Sequence, residues 1–249
     1  MTPRAVILAA GSAQRLRPLT DALPKCLLRV GGRTILARAV SILAGWGVRE
    51  ITVVDGFEGD RLRAAIAAEF PPEWFHFIRN DDYATTNNAW SLWLARGAAP
   101  EPILLLDADV VFDREVIGLL LTEGPQNRLA VRTRGAVGAE DMKVALAPDG
   151  RVADIGKHLP PASASGESIG IAHFGAQFSR RMFSVLERRL VKEGLVGEWY
   201  ESAFVELISG GEAIHPIDIG GHRAIEIDTP EDLEEARRLF PEPPVRTRT

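Results

Sequence analysis

The chain has 249 residues, of which 46% are hydrophobic and 25% are charged, and this composition excludes a largely disordered protein. The formal net charge of −5 argues against a nucleic-acid partner, because proteins that bind nucleic acid usually carry an excess of basic residues. We find no run of about 18 apolar residues and no basic amphipathic helix, so we expect neither a membrane span nor a membrane partner.

The single cysteine, Cys26, excludes an intramolecular disulfide and fits a reducing compartment. The first apolar run, residues 5–10, is too short for a signal peptide. We therefore expect a cytoplasmic protein. No linker divides the sequence, so residues 1–249 are expected to form one domain. The oligomeric state stays open between a monomer and a homodimer.

The N-terminal stretch predicts a buried strand that ends in a phosphate-binding turn. Residues 5–10 are apolar and of strand length, and Gly11 and Ser12 follow them directly. A glycine lets the backbone approach a phosphate closely, and consecutive backbone N–H groups can donate to its oxygens. A strand followed by glycine is also common in α/β proteins without phosphate, but Arg15 and Lys25 add positive charge here. The predicted nucleotide-binding positions of this turn are Ala9, Ala10, Gly11 and Ser12.

Beyond this turn, strands and helices alternate, which is typical of a largely parallel sheet with right-handed crossovers. Short apolar and β-branched runs predict strands at residues 51–54, 75–78, 103–106, 169–174 and 224–227. Helical spacing of apolar residues predicts helices after the cap Thr34, at 60–69, from about 88, at 177–193, at 199–208 and after the cap Thr229.

Residues 132–168 interrupt this alternation. The turn Pro148-Asp149-Gly150 between two short strands predicts a hairpin, which we interpret as a flap rather than part of the core sheet. Residues 160–168, PPASASGES, have the composition of a mobile loop. We therefore expect this insertion to close over a substrate.

Acidic residues follow two of the predicted strands. Asp107 and Asp109 stand at the carboxyl end of one strand, which is where open α/β sheets bind ligands, and Asp228 follows another. Alternation along an extended segment sends Asp107 and Asp109 to the same side, and hard carboxylate oxygens suit Mg²⁺. The alternative role for each of these acids is to cap a helix, and this alternative is stronger for Asp109 than for Asp107.

Residues 11–25, G-S-A-Q-R-L-R-P-L-T-x-x-x-P-K, resemble the signature of the nucleoside-triphosphate transferases that activate sugar phosphates and phospho-alcohols. The sequence departs from that signature at one place. The usual G-x-G-x-R spacing is replaced by Gly11-Ser12-Ala13-Gln14-Arg15, so that Ser12 is expected to offer what a second glycine normally offers.

Three further motifs resemble one particular group of these transferases. The pattern N-x-x-Y-x-x-x-N-N-x-x-S-L at residues 80–92, D-A-D at 107–109 and E-I-D at 226–228 resemble the bacterial CTP:phosphocholine cytidylyltransferases. Relatives of those enzymes act on inositol phosphate or aminoethylphosphonate. The resemblance implies a three-layer α/β/α Rossmann-like nucleotidyltransferase fold, with a mostly parallel mixed sheet and a small β-flap insertion at about 132–168 that binds the acceptor.

The resemblance also implies a catalytic centre. Asp107 and Asp228 would hold Mg²⁺, with Asp109 as a less favoured ligand. Arg15 would bind the leaving pyrophosphate, and Lys25 the α-phosphate or the acceptor.

Asn87 and Asn88 are expected to read the cytosine edge, since an amide both donates and accepts, although either also suits a helix cap; Ser91 belongs to the same nucleotide-binding motif. A choline headgroup needs aromatic faces and an acid. Trp199, Tyr200 and Glu201 are the candidates, while core packing explains the nearby Phe204 at least as well.

Lys143 and Lys157 lie in the predicted flap. The resemblance to the enzymes that act on inositol phosphate implies that both contact the acceptor phosphate. Solvated surface lysines are the alternative for both.

These features predict a cytidylyltransferase that transfers CMP from CTP to a small phosphorylated alcohol or phosphonate, with a phosphocholine-like acceptor, and releases pyrophosphate. A sugar-1-phosphate nucleotidyltransferase that uses another nucleotide is the nearest alternative. A non-catalytic nucleotide-sensing module is an alternative of another class. The sequence leaves the acceptor, the strictness for CTP and the pathway open.

Overall fold

The computed structural model describes residues 2–98, 102–122, 124–135 and 137–242. Within these ranges the strands are β1 (Arg4–Ala9), β2 (Arg29–Val30), β3 (Arg33–Thr34), β4 (Ile51–Asp55), β5 (Phe75–Arg79), β6 (Ile103–Asp107), β7 (Val110–Phe112), β8 (Arg128–Arg132), β9 (Lys143–Leu146), β10 (Val152–Gly156), β11 (Gly166–Phe174), β12 (His215–Asp218) and β13 (Ala224–Glu226). The α-helices are α1 (Ile35–Gly45), α2 (Gly59–Ala67), α3 (Asn88–Leu94), α4 (Arg114–Leu121), α5 (Ala176–Leu186), α6 (Glu201–Ser209) and α7 (Pro230–Leu239). None of the helices in these ranges combines the length and the apolar composition that crossing a membrane requires.

The main sheet has nine strands in the described part of the chain, and its central path runs β10-β9-β11-β6-β1-β4-β5. Strand β8 pairs with β11 and with β12. Strands β10 and β11 run opposite to the other seven, because β11 is antiparallel to β6, β8 and β9, and β10 is antiparallel to β9. The predicted mixed, mostly parallel sheet is therefore confirmed.

Helices cover both faces of this sheet. Alternate residues of β1 enter different cores, since Ala5 and Ile7 pack on one face and Val6 and Leu8 on the other. The first core includes residues of α1, α2 and α4, and the second includes residues of α3, α5 and α6. This arrangement is the predicted three-layer α/β/α fold.

The hairpin that the sequence suggested as a flap belongs to the main sheet instead. Strand β9 pairs with β11 through Val144 and Lys143, and β10 forms the outer edge. Val144, Val152 and Ile155 are buried in the second core, so the hairpin contributes to packing. The predicted mobile loop is also shorter than expected, since Gly166 and the residues after it belong to β11.

The C-terminal segment folds back over the N-terminal turn. Strand β13 pairs with β7 outside the main sheet, and α7 begins with a capping box between Thr229 and Asp232. The Asp232 carboxylate also accepts from the backbone N–H of Asp228 at 3.0 Å. A third apolar cluster joins this segment to the N-terminal region through Leu16, Val30, Ile227, Leu233 and Phe240. Asp228 is thereby fixed beside the turn that follows β1.

In that turn, the residue that takes the place of the second glycine is Ala13 rather than Ser12. Ala13 has φ 46° and ψ 51°, a left-handed conformation in which Cβ crowds the backbone. The buried hydroxyl of Thr20 donates to the Ala13 carbonyl at 2.8 Å and helps to hold this geometry. The expectation for Ser12 is therefore wrong by one position.

We predict that Ala13→Gly raises the free energy of unfolding by about 1 kcal/mol, because glycine removes the left-handed penalty. The larger conformational freedom of glycine in the unfolded chain offsets part of the gain. Urea unfolding followed by circular dichroism measures the change. Gly97→Ala is the matched control, since a Cβ there meets nothing within 4 Å. A destabilised Ala13→Gly variant would show that Ala13 is not strained.

Candidate active site

A cavity of about 620 Å³ opens at the carboxyl ends of β1 and β6, beside the turn after β1. Most of the residues predicted from the sequence line it. They are Ala9, Ala10, Gly11, Arg15, Lys25, Asn87, Asn88, Ser91, Asp107, Asp109, Lys157, Trp199, Glu201 and Asp228. Ser12, Lys143 and Tyr200 were predicted too, but they are not among the lining residues.

Two cations and two carboxylates meet at the floor of the cavity. Lys25 Nζ lies 2.6 Å from Asp109 Oδ2 and 2.9 Å from Asp228 Oδ1. Arg15 Nη2 lies 2.6 Å from Asp228 Oδ2. Burial works against the charge on Lys25, but the two aspartates outweigh it and raise the lysine pKa. Burial likewise opposes ionisation of Asp228, but Lys25 and Arg15 lower its pKa, so these ion pairs persist at neutral pH.

Three carboxylates form a possible metal site within the described residues. One oxygen each from Asp109, Glu226 and Asp228 lies within 4.8 Å of the others. Asp109 Oδ1 is buried and has no hydrogen-bond partner in the structure. A set of hard oxygen donors with an orphaned carboxylate oxygen fits a divalent cation such as Mg²⁺.

Glu226 was missed by the sequence reasoning. The Glu226 side chain is exposed at the surface. The protein atoms around its carboxyl nevertheless exclude part of the solvent, and together with the carboxylates of Asp109 and Asp228 they raise the pKa of Glu226 to about 8. The signal was available, since a glutamate between Ile225 and Ile227 stands two residues before Asp228 and shares its side of an extended chain.

Asp107 lies outside this group of three carboxylates, although the sequence predicts it as a metal ligand together with Asp228. Strand β6 ends at Asp107, and the chain turns before Asp109, so the alternation assumed from the sequence stops between them. Asp107 Oδ2 accepts a hydrogen bond from Tyr200 Oη at 2.7 Å. Burial, followed by the nearby Asp109 and Glu201, raises the pKa of Asp107 well above its usual value. Asp109 therefore lies beside Glu226 and Asp228, and which of these aspartates hold a metal stays a prediction.

Tyr200 is a core residue in this structure. It is 2% exposed, and its ring packs against Phe204, itself fully buried. The hydroxyl is engaged by Asp107. The Tyr200 face is therefore covered in this structure, and its contact with the acceptor stays a prediction.

Lys143 is also buried in this structure, and its contact with the acceptor phosphate stays a prediction. The side chain is fully covered, and Nζ donates to the carbonyls of Ala139 at 2.6 Å and Asp141 at 3.0 Å. These bonds satisfy the ammonium where β9 begins. Lys143 therefore closes a loop at the cavity wall.

The asparagine-rich loop, residues 80–92, also lines the cavity. Asn87 caps α3, and its Nδ2 donates to the Gly197 carbonyl at 3.2 Å. Asn88 Oδ1 accepts from the backbone N–H of Tyr200 at 3.0 Å, so both asparagines have a structural role. The capping alternative is confirmed for Asn87, and the contact of either amide with a base stays a prediction.

Asn80 supports this loop and was not singled out from the sequence. It is buried directly after β5, and its amide donates to Ser91 Oγ at 3.0 Å and Thr86 Oγ1 at 3.3 Å. Its carbonyl oxygen accepts from the Asp82 N–H at 3.0 Å. An asparagine that immediately follows an apolar strand was the available signal.

The cavity mouth combines an aromatic face, a lysine and a buried acid. Trp199 is 44% exposed, and Lys157 Nζ lies 4.8 Å from its ring centroid and 3.7 Å from Glu140 Oε2. Glu201 is only 5% exposed, and its Oε2 is buried without a partner in the structure. Burial, with a smaller effect of Glu226, raises the pKa of Glu201 to about 8.

Comparison with known proteins agrees with this architecture. The chain is 31% identical over 250 residues to the CMP-5'-(3-aminopropyl)phosphonate synthase of Streptomyces rubellomurinus, covering 96% of the chain but only 39% of that protein. It is 26% identical over 250 residues to the CTP:phosphoglutamine cytidylyltransferase of Campylobacter jejuni, covering 92% of the chain and 97% of that protein.

The solved structure of the CTP:phosphocholine cytidylyltransferase from Streptococcus pneumoniae has the same fold. Its TM-score is 0.76 at 19% identity, covering 96% of this chain and 100% of that one. A family model for the MobA-like NTP transferase domain matches residues 5–203. The chain therefore belongs to the family of MobA-like NTP transferase domains.

Proposed function

We propose that the protein transfers CMP from CTP to a small phosphonate or phosphate ester that carries an ammonium group, with release of pyrophosphate. The observation that carries this proposal is the meeting of Lys25 and Arg15 with Asp109 and Asp228 in one cavity. Phosphoryl and nucleotidyl transfer require such a site, because two polyanions must be aligned and their repulsion neutralised.

The reaction is an in-line displacement at the α-phosphorus of CTP. An oxygen of the acceptor phosphonate forms the new P–O bond, the bond to the bridging α–β oxygen breaks, and pyrophosphate leaves with that electron pair. The attacking oxygen is already anionic, so a general base is not required. Lys25 and Arg15 neutralise the triphosphate, while Asp109, Glu226 and Asp228 would hold a divalent cation, which we propose to be Mg²⁺ and which supplies further charge neutralisation when bound.

The acceptor end of the cavity favours a primary ammonium over choline. A quaternary ammonium has no hydrogen to donate and binds through aromatic faces. Tyr200 and Phe204 are buried and Lys157 lies over Trp199, so these three aromatic residues do not form an open cage. Glu201 instead offers a buried, unpartnered oxygen, which a primary ammonium satisfies with a charge-assisted hydrogen bond.

Cytosine as the base is supported by the asparagine-rich loop and by the two cytidylyltransferases named above. Asn88 has its oxygen engaged by Tyr200, while its Nδ2 has no partner among the described residues and can donate to an acceptor atom of cytosine. The sugar-1-phosphate alternative leaves Glu201 without a counter-charge. A non-catalytic sensing module is expected to lack a metal-binding carboxylate or Lys25, whereas this chain has Lys25 together with Asp109 and Asp228.

A pyrophosphate-release assay tests the function. CTP, UTP, GTP and dTTP are each paired with aminoethylphosphonate, aminopropylphosphonate, phosphoethanolamine, phosphocholine, inositol 1-phosphate and glucose 1-phosphate. We expect turnover with CTP and the primary amines, and weaker turnover with phosphocholine. Turnover that needs UTP, GTP or dTTP with glucose 1-phosphate contradicts the proposal.

The proposed metal site gives a prediction that distinguishes Asp109 from Asp107. Asp109→Asn removes a carboxylate from the group with Glu226 and Asp228, and we expect kcat to fall about a hundredfold or more. Asp107→Asn is the matched control, because an amide oxygen still accepts from Tyr200 Oη. We expect it to lower kcat less than about tenfold. Equal losses in both variants would show that the group has been assigned to the wrong aspartate.

The raised pKa of Glu201 predicts a pH-dependent acceptor affinity. Because that pKa is about 8, the carboxyl is mostly protonated at neutral pH and must release its proton to pair with an ammonium. The KM for the acceptor is therefore expected to fall as pH rises from about 7 through about 8, and to level off near about pH 9 until the amine itself deprotonates. Steady-state kinetics at saturating CTP measures this profile.

Glu201→Gln is the control for this profile, since it keeps the shape and cannot ionise. We expect a higher acceptor KM and the loss of this pH dependence, with the KM for CTP unchanged. A variant that keeps the wild-type profile would assign the titration to another group, such as Glu226.

A further inference from the structure

Arg132 ends strand β8 and reaches into the same cavity. Its cross-strand partner in the antiparallel pair with β11 is Glu167, and Arg132 Nε and Nη2 both contact Glu167 Oε1. Arg132 Nη1 donates to the Ala224 carbonyl at 3.1 Å. The guanidinium is therefore held from two sides, by β11 and by β13.

Among the described residues, the bonds to Glu167 and Ala224 leave one N–H without a partner on each terminal nitrogen of Arg132, since a guanidinium carries five N–H groups in a planar fork. The side chain is 41% exposed and lines the cavity. Glu167, by contrast, is buried, so the pair consists of a fixed carboxylate and a cation that faces open space.

Arg132 lines the cavity from a different strand than the other cations. Its bond to the Ala224 carbonyl ties it to β13, the strand that carries Glu226. Arg15 and Lys25 lie on the side of the N-terminal turn. Lys157 lies over Trp199 at the mouth.

We propose that Arg132 binds the phosphonate or phosphate group of the acceptor and that Glu167 holds the guanidinium in position. This inference rests on the proposed function. The free N–H groups of Arg132 bind two oxygens of the anion as a fork and leave the third oxygen to attack the α-phosphorus. The acceptor then spans the cavity from Arg132 to Glu201.

Steady-state kinetics of Arg132→Gln and Arg132→Lys tests the assignment. The acceptor is the primary amine with the highest turnover in the pyrophosphate-release assay. We expect Arg132→Gln to raise the acceptor KM about tenfold to a hundredfold, with the KM for CTP changed less than about twofold. Arg132→Lys restores the charge but not the fork, so its acceptor KM falls between those of the wild type and Arg132→Gln.

Arg181→Gln is the matched control, because Arg181 is also paired with a glutamate, Glu212, but lies outside the cavity lining. Its KM values should equal those of the wild type. Glu167→Gln should raise the acceptor KM in the same direction as Arg132→Gln. An acceptor KM that is unchanged in a folded Arg132→Gln variant overturns the proposal.

A binding measurement separates this proposal from the proposed function. Calorimetric titration uses methylphosphonate as the probe, with a non-hydrolysable CTP analogue filling the triphosphate subsite. We expect binding to the wild-type protein and to Arg181→Gln, and about tenfold weaker binding to Arg132→Gln. Equal affinities, or no binding to the wild type, count against Arg132 even where turnover is observed. Weaker binding to Arg132→Gln without any turnover supports Arg132 and contradicts the proposed reaction.

Discussion

The ammonium of Lys25, shared between Asp109 and Asp228, is the interaction on which the site depends. It joins three parts of the chain that are far apart in sequence: the segment after the N-terminal turn, the end of the central strand β6 and the start of α7. Each part is held separately, by the packing of β1 and β6 in the sheet and by the capping box that fixes the backbone at Asp228. The fold therefore brings two carboxylates and two cations together before any ligand arrives. Such preorganisation is what a reaction between two polyanions needs.

The cavity contains two sets of charged side chains. Arg15, Lys25, Asp109 and Asp228 lie beside the turn that follows β1, where we propose that a metal-bound triphosphate binds. Glu201, which is buried and has no hydrogen-bond partner among the described residues, lines the same cavity, as do Trp199 and Lys157. An acceptor that carries both an anion and a cation fits these two sets. The pKa values of Glu201 and Glu226 are raised to about 8, so both acids are mostly protonated at neutral pH, and a cation that approaches them favours their ionised forms.

Much of the fold was readable from the sequence, because hydrophobic periodicity reports burial directly. The predicted strands appear within one or two residues of their observed bounds except near 169, where β11 begins at Gly166, and Thr34 and Thr229 cap the helices assigned to them. Two main-sheet strands were missed. Strand β8 is flanked by arginines, and β12 contains a proline, so neither has a clean alternating pattern.

The site was less readable, because side-chain contacts depend on where a strand ends and on what folds over it. Asp107 and Asp109 are separated by a turn that composition does not reveal. Tyr200 donates to Asp107, while the adjacent Glu201 has a buried oxygen without a partner among the described residues, and the sequence does not show this difference. The burial of Lys143 depends on backbone carbonyls of its own loop, which the sequence does not reveal.

The most direct test of the proposed site is the anomalous signal of Mn²⁺ in crystals grown with a non-hydrolysable CTP analogue. We expect a metal peak among Asp109, Glu226 and Asp228, with Lys25 moved from the aspartates to the phosphates. A metal bound to Asp107, or a triphosphate bound away from Arg15 and Lys25, would contradict this expectation.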